Sequence, residues 1–364
     1  MTAPTISVII AAYNGAALIR ETLATLDAQT FADFEVIVVD DCSTDTTREV
    51  VAAWPDPRVR LVALEQNGGP VRARNRAVAE ARGRYIAALD HDDLCHPQRF
   101  ARQLAYLDAH PDTVLLGTAA DILEDGVTTP SSYAPVTTPH LIAWLTRIEN
   151  PLVWSSVMVR ADAARRLDPF TRPDILYAED FDLYHRIQPL GRIARLDTPL
   201  IVYRSHPGGI SKRFMDTMEA NTLRVLTDAY APLFGDRAGA TAALIAQHMM
   251  AKRPVPDRAT LAALGQALAA LQANYLATHD CDAQDRRLIK WETARRWAQV
   301  GRTALRAGTI GVADVVAVRP EHLGLGYAGV EALMWSGLVG GARRLGAQTL
   351  AAKIIRPGPS RAKT

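Results

Sequence analysis

The sequence predicts an α/β domain with a mostly parallel central sheet, followed by an α-helical C-terminal region. Three observations carry that expectation. Short β-branched or apolar runs alternate with helical stretches through about the first 120 residues. The first two runs are apolar almost throughout, as strands covered on both faces are. From about Met215 onward, strand signal gives way to long helical periodicity. Strand, helix, strand in repetition calls for parallel strands joined by crossovers, with helices on both faces of the sheet.

The expected strands are Ile6 to Ala12, Glu35 to Asp40, Arg58 to Leu64, Arg84 to Asp90 and Thr113 to Thr118. Between them, Ala17 to Gln29 sets Leu18, Leu23 and Leu26 near one stripe, and Thr44 to Ala53 follows Ser43, a capping residue type. Val71 to Ala81 follows Gly68-Gly69-Pro70, and the helix Pro97 to His110 carries proline in its first turn. Residues 128 to 139, rich in Pro and Thr, read as a loop. Leu152 to Arg160 reads as a strand, Asp180 to Gln188 as a helix and Ile193 to Tyr203 as a strand. Helices follow at 216–234, 238–252, 258–277, 283–306 and 328–350. The boundary falls near 215, giving an α/β domain over 1–215 and a helical domain with a basic end over 216–364.

The 364 residues hold 41 Lys plus Arg against 39 Asp plus Glu, a balance that excludes a protein built on non-specific nucleic-acid binding. The charge is unevenly placed. Residues 332 to 364 carry Arg343, Arg344, Lys353, Arg356, Arg361 and Lys363 and no acid, leaving 35 basic and 39 acidic groups elsewhere. Three well-separated cysteines, Cys42, Cys95 and Cys281, indicate neither a disulfide framework nor a thiolate metal site, and favour a reducing, cytoplasmic setting. The apolar run at the N-terminus is short and lacks basic flanking residues, so it reads as a buried strand and not as a secretory signal.

Carboxylates that end apolar strands mark the chemistry, because burying them is costly without a purpose. The second strand ends in Asp40-Asp41-Cys42-Ser43-Thr44-Asp45 and the fourth in Asp90-His91-Asp92-Asp93. In an open parallel sheet both ends face one crevice. Helix capping explains Ser43 or Asp45, and a turn explains Asp93, but capping takes one acceptor and leaves Asp40, Asp41, Asp90 and Asp92 unexplained. The Asp90-x-Asp92 spacing suits a hard divalent cation shared with substrate phosphates.

Five segments in order, SVIIAAYNG (7–15), QTFADFEVIVVDDCSTDTT (29–47), NGGPVRARNRAVAEARGRYIAALDHDD (67–93), AEDFDLYHRI (178–187) and YRSHPGGIS (203–211), give a chain that resembles the family-2 inverting glycosyltransferases of the GT-A fold. The resemblance implies a GT-A-like nucleotide-diphospho-sugar transferase fold and transfer of a sugar, UDP-linked by family frequency, to a glycan, lipid-linked or other acceptor. It implies base contacts from Tyr13, Asn14 and Asp41, with Arg72, Arg74 and Asn75 near the same crevice. Divalent metal, Mn²⁺ or Mg²⁺, falls to Asp90 and Asp92, beside the donor diphosphate, with Asp93 as a further candidate, and His206 closes over the diphosphate or the metal. Asp180 becomes the general base, with Glu179 orienting hydroxyl groups. An acidic pair at a helix N-terminus also has a plain explanation, the helix dipole. Trp154 suits either sugar stacking or core packing.

A nicotinamide enzyme would need G-x-G-x-x-G after the first strand, and Tyr13-Asn14-Gly15-Ala16-Ala17 stands there instead. A sugar-1-phosphate nucleotidyltransferase would show a Gly- and Arg-rich loop at that place, and a two-metal phosphohydrolase would need more His and Asp. The rival of another class is a catalytically inactive transferase-like binding protein; Asp90, Asp92 and Asp180 argue against it. The helix 283–306 is basic, with Trp291 and Trp297 interleaved, which reads as a solvated face with tryptophans docked on the core. Ala332 to Ala342 is apolar, too short to span a bilayer and long enough to lie on one, so peripheral contact with the inner membrane face is a further expectation.

Overall fold

The computed structural model describes residues 3–131, 134–318 and 333–341, and the chain divides into two units, Met1–Ala229 and Tyr230–Thr364. The first unit opens with β1 (Ile6–Ala12), α1 (Ile19–Asp27), β2 (Phe34–Asp40), α2 (Thr47–Ala52), β3 (Val59–Ala63), α3 (Gly69–Glu80) and β4 (Tyr85–Ala88). It continues through β5 (Leu94–Cys95), α4 (Arg99–Ala109), β6 (Thr113–Glu124), β7 (Val127–Pro130), α5 (Pro139–Leu145), β8 (Met158–Arg160) and α6 (Ala161–Arg165). Then come α7 (Glu179–Ile187), β9 (Arg192–Ser205), α8 (Ile210–Arg213) and α9 (Met215–Phe234), within which the unit boundary falls.

One sheet runs in the order β3-β2-β1-β4-β8-β6-β9-β5, with β7 pairing β6. The long ladders are parallel: β1 pairs β2 from Ile6↔Phe34 to Ala12↔Asp40, and β6 runs beside β9 from Thr113↔Arg192 to Glu124↔Ser205. Antiparallel pairing is confined to short contacts of β4 with β8, β5 with β9, and β6 with β7 and β8. The expected mostly parallel α/β sheet is therefore present.

The two faces account for the apolar runs. Ile6, Val8 and Ile10 point to one side, against Leu23 and Leu26 of α1 and Phe100, Leu104 and Leu107 of α4. Ile9, Ile37 and Val39 point to the other, against Ala73 and Ala77 of α3 and Leu183 and Ile187 of α7. Alternation places successive residues on opposite faces, so a strand covered twice must be apolar at every position. Each such aliphatic side chain contributes about 1.5–3 kcal/mol by leaving water.

Three expectations are corrected. Residues 128–139 are not all loop: Val127–Pro130 forms β7, folded back on β6 through Asp125 and Gly126 at φ +50° and +79°. That Asp-Gly pair is the hairpin signal the Pro and Thr content obscures. Leu152 to Arg160 is a strand only over Met158–Arg160, because a 3₁₀ turn occupies Trp154–Ser156 and Ser156 Oγ donates to Val153 O at 2.7 Å. The helix expected over 238–252 is α-helical at Ala238–Ile245 and then widens into a π-helical turn at Ala246–Met250.

The second unit is helical: α10 (Ala238–Ile245), α11 (Arg258–Thr278), α12 (Ala283–Ala307) and α13 (Val312–Ala317), with a further helical segment at 333–341. Asp257 accepts from Thr260 N and Asp282 from Asp285 N, each satisfying an orphan donor at a helix start, and Gly308 in the left-handed region ends α12. Along α12, Trp297 is buried and Trp291 half-buried, and Arg286, Arg287, Lys290 and Arg306 are exposed, whereas Arg296 is buried and shares Glu292 with Arg295, so the expected solvated basic face is present only in part. The helix expected over 328–350 lies outside the described residues except for 333–341. Among the described residues no helix is long and apolar enough to cross a membrane.

Candidate active site

Strands β1, β2 and β4 are parallel, so their carboxyl ends share one edge of the sheet and deliver Tyr13, Asp41 and Asp90 there. Tyr13, 44% exposed, offers its ring to solvent, while Asn14 adopts φ +50° and ties the first loop to the second. Its Oδ1 accepts from Thr44 N at 2.8 Å, and its own N–H donates to Ser43 Oγ at 2.9 Å. Asn14 thereby shapes the turn that presents Tyr13.

The acidic pair after β2 divides its labour inside the protein. Asp40 is fully buried, with Oδ2 accepting from Arg48 Nε at 2.6 Å and from Ser43 N at 3.0 Å. Asp41 is 2% exposed, and its two carboxylate oxygens accept from Gly68 N at 2.9 Å and Gly69 N at 2.7 Å. Those are orphan N–H groups at the start of α3, which has no side-chain cap of its own. Gly69 at φ +81° makes the close approach feasible, since a side chain there would be strained. Asp41 thus anchors the Gly68-Gly69 turn beside Tyr13, a structural duty the acidic pattern does not announce.

The residues of α3 are also committed. Asn75 is locked to the chain before α7, donating to Thr171 O at 2.7 Å and accepting from Thr171 N at 2.9 Å. Arg72 is exposed and reaches Gln66 O at 3.5 Å. Arg74 points the other way, into the protein. It donates to Asp90 Oδ1 at 2.9 Å and to Glu179 Oε1, and its guanidinium lies 4.6 Å from the Trp154 ring centroid. Burial disfavours the cation, yet Asp90 and Glu179 outweigh it and hold Arg74 above the ordinary arginine value. One buried guanidinium therefore joins the two acidic motifs, and the place of Trp154 is beneath that guanidinium.

The loop after β4 presents two carboxylates and hides a third. Asp90 and Asp92 keep side-chain exposures of 28% and 18%, and Asp92 Oδ2 lies 2.9 Å from His206 Nε2. Asp93, 1% exposed, is instead gripped from within: Ser155 Oγ donates to one oxygen and Arg204 N to the other at 2.8 Å. Burial pushes the Asp93 carboxyl well up, and the charges of Asp90 and Asp92 push it further. Asp93 is corrected from candidate metal ligand to loop anchor, because both of its oxygens are taken and water does not reach it.

Ser155 and Arg204 hold this loop in place, and the sequence reading passes over both. Ser155 Oγ accepts from Asp90 N at 3.0 Å while donating to Asp93, so one hydroxyl fixes both ends of the loop. Arg204 donates its backbone N–H to Asp93, its Nε to Asp92 O at 2.9 Å and its Nη2 to Glu21 at 2.7 Å. Its place beside His206 in the last matching segment is the one signal in the sequence.

At the start of α7, Glu179 and Asp180 sit in different surroundings. Glu179 is buried against Arg74; burial raises its pKa, and Arg74 opposes the rise. Asp180 is partly buried, accepting from Asn150 Nδ2 at 2.9 Å and from Phe181 N at 2.7 Å. Burial raises its pKa too, against the Asn150 hydrogen bond and the charge of Arg74. A carboxylate so destabilised is a stronger proton acceptor than one in water. Asp182 faces away, paired with Arg186 at 2.6 Å.

Comparison with known proteins agrees with this architecture. Residues 7–167 match the profile described as Glycosyl transferase family 2. The amylovoran biosynthesis glycosyltransferase AmsE of Erwinia amylovora is 30% identical over 213 residues, covering 57% of this chain and 79% of that protein. The succinoglycan biosynthesis protein ExoO of Rhizobium meliloti is 49% identical over 106 residues, 29% of this chain; the match spans only 30% of that relative's length. Among solved structures, S. aureus TarS 1-349 in complex with UDP-GlcNAc aligns with a TM-score of 0.53 at 20% identity, covering 94% of this chain and 92% of that one. That likeness supports the expected GT-A-type fold.

Proposed function

The chain belongs to glycosyl transferase family 2, and from that membership we propose that it transfers a sugar from a nucleotide-sugar donor, a UDP-sugar, to a hydroxyl of a glycan or lipid-linked acceptor, with inversion. The observation that carries the proposal is the Arg74 bridge: Asp90, of the acidic loop after β4, and Glu179, at the start of α7, far apart in sequence, meet on one guanidinium. A site with carboxylates for a metal and a desolvated carboxylate for a proton suits group transfer to a hydroxyl.

The donor base stacks on Tyr13, whose ring is the exposed aromatic at the strand edge, with Asp41 and Asn14 holding the loops around it. Asp90 and Asp92 would hold the divalent ion, with His206 supporting Asp92. Among the described residues no cluster of three or more His, Cys, Asp or Glu could hold a metal alone. Two carboxylates are nonetheless the donor type through which Mg²⁺ or Mn²⁺ would be held together with substrate phosphates. Such an ion, when bound, offsets the negative charge that gathers on the leaving diphosphate.

Asp180 takes the proton of the acceptor hydroxyl as its oxygen forms a bond to the anomeric carbon. The bond from that carbon to the diphosphate oxygen breaks on the opposite face, and the nucleoside diphosphate departs. Glu179, held by Arg74, orients hydroxyl groups beside the reacting centre. The biosynthetic names of the two relatives support a growing polysaccharide as acceptor, and three free cysteines support a cytoplasmic setting. The test is turnover across a panel of nucleotide sugars with Mn²⁺ or Mg²⁺. Wild type releases a nucleoside diphosphate and Asp180→Asn loses at least about a hundredfold in rate; donors that bind without turnover would identify a binding protein instead.

A further inference from the structure

The acidic loop after β4 holds one residue to which the proposed reaction gives no part, His91. Asp90 and Asp92 flank it in sequence, while its imidazole lies against Gly15, two residues after Tyr13. A Cβ built on Gly15 would meet His91 Cδ2 at 2.3 Å, Nε2 at 3.0 Å and Cγ at 3.2 Å, so the ring leaves no room there for a methyl group. Gly15 is not one of the glycines with a left-handed φ. Its backbone would accept alanine, and the His91 ring is what excludes it.

Neither side of this contact is free to retreat. Gly15 is buried; its N–H donates to Thr47 Oγ1 at 2.8 Å, and its carbonyl accepts from Leu18 N at 3.0 Å and Ile19 N at 2.9 Å where α1 begins. His91 is held at two points. Its Nδ1 lies 3.3 Å from Ala11 O of β1, and because a carbonyl only accepts, the ring is the donor. Its own carbonyl accepts from Thr22 Oγ1 of α1, a buried hydroxyl, at 2.9 Å. From the other side, Ser155 and Arg204 hold the same loop through Asp93. The ring is thus a spacer between the loop that carries Tyr13 and the loop that carries Asp90 and Asp92.

A nucleoside diphosphate joins its base to its phosphates through one ribose, so the two loops must stand a fixed distance apart to hold both ends at once. Misplacement by about 1 Å is enough to cost about a hundredfold in rate. We propose that His91, seated on Gly15, is a positioning residue that sets the spacing between the base-binding and diphosphate-binding loops. It rests on the nucleotide-sugar reading above and adds to it a residue that touches neither base nor metal.

The test measures affinity of the full chain for UDP with Mn²⁺, which engages both loops, and for uridine, which engages the Tyr13 loop alone. Gly15→Ala and His91→Ala should each weaken UDP binding at least about tenfold and leave uridine binding unchanged. The double variant Gly15→Ala/His91→Ala should bind UDP no worse than His91→Ala, because the methyl enters space the ring has left; independent effects would multiply to about a hundredfold. His91→Asn, whose Nδ2 can take over the donation to Ala11 O, should bind UDP more tightly than His91→Ala. Melting temperatures separate a folding defect from a spacing defect, and the double variant should melt no lower than Gly15→Ala. Variants that bind UDP like wild type, lose uridine in equal measure, or multiply in the double variant overturn the proposal and leave the donor reading standing. A wild type that binds no UDP removes the UDP-sugar reading and this inference with it.

Discussion

Replacing Arg74 by methionine isolates the bridge between the two acidic motifs. The guanidinium is 9% exposed at the side chain and pairs with Glu179, at 3%, and Asp90, at 28%. Methionine keeps much of the stem over Trp154 and removes the charge. Breaking one side of a buried pair costs about 3–5 kcal/mol, because the remaining charge is stranded. Most of that falls on Glu179, since water can still reach Asp90.

The pH dependence follows with a definite sign. Burial already raises Glu179, and Arg74 is the main influence opposing it. Without Arg74 the carboxyl rises further, so the folded variant holds a proton where the unfolded chain has released it. The native state then binds more protons than the unfolded one, and stability falls as pH rises through the folded-state pKa. The deficit of Arg74→Met is therefore greatest at neutral pH and shrinks on acidification toward the ordinary glutamate value. Urea unfolding at a series of pH values measures it. Adding Glu179→Gln should recover a coupling of about 1–3 kcal/mol. A deficit under about 1 kcal/mol, or one that does not change with pH, would refute the buried-bridge reasoning.

Other consequences are equally specific. Ser155→Ala removes the donor to Asp93 and the acceptor for Asp90 N, so it should cost about 1–3 kcal/mol in urea unfolding while Ser155→Thr costs less. Asp41→Ala strands the N–H groups of Gly68 and Gly69 and should cost about 1–3 kcal/mol, seen also as faster amide exchange at the start of α3. Because the base must be deprotonated and burial raises Asp180, kcat/KM should rise with pH through an acidic limb above the ordinary aspartate value. Asn150→Ala removes an acceptor-stabilising hydrogen bond and should move that limb upward; a limb that stays in place would detach Asn150 from the base.

Periodicity makes the sheet legible, because residues such as Ile9 and Val38 must be apolar when both faces are covered. The acidic clusters are legible for the complementary reason: nothing about folding asks for Asp90 and Asp92 at the mouth of a strand. What each carboxylate touches is not. Asp41 reaches Gly68 and Gly69, Asn75 reaches Thr171, and Asp93 meets Ser155 only because distant segments pack together. No local pattern separates Asp93, anchored inside, from Asp92 beside it. The turn at Trp154–Ser156 escapes for the same cause, since its apolar neighbours resemble a strand while its serines serve the loop across from it.

The central claim, that this cleft holds a nucleoside diphosphate through a divalent ion on Asp90 and Asp92, is tested most directly by thermal stability. Wild type and Asp92→Asn are each melted with UDP and other nucleoside diphosphates, with and without Mn²⁺. A ligand at 100 times its dissociation constant stabilises by about 2.7 kcal/mol, enough for a clear shift. The account predicts a nucleotide-dependent shift that Mn²⁺ enlarges in wild type and leaves unchanged in Asp92→Asn. No metal-dependent shift with any nucleoside diphosphate, or one that survives Asp92→Asn intact, would contradict it.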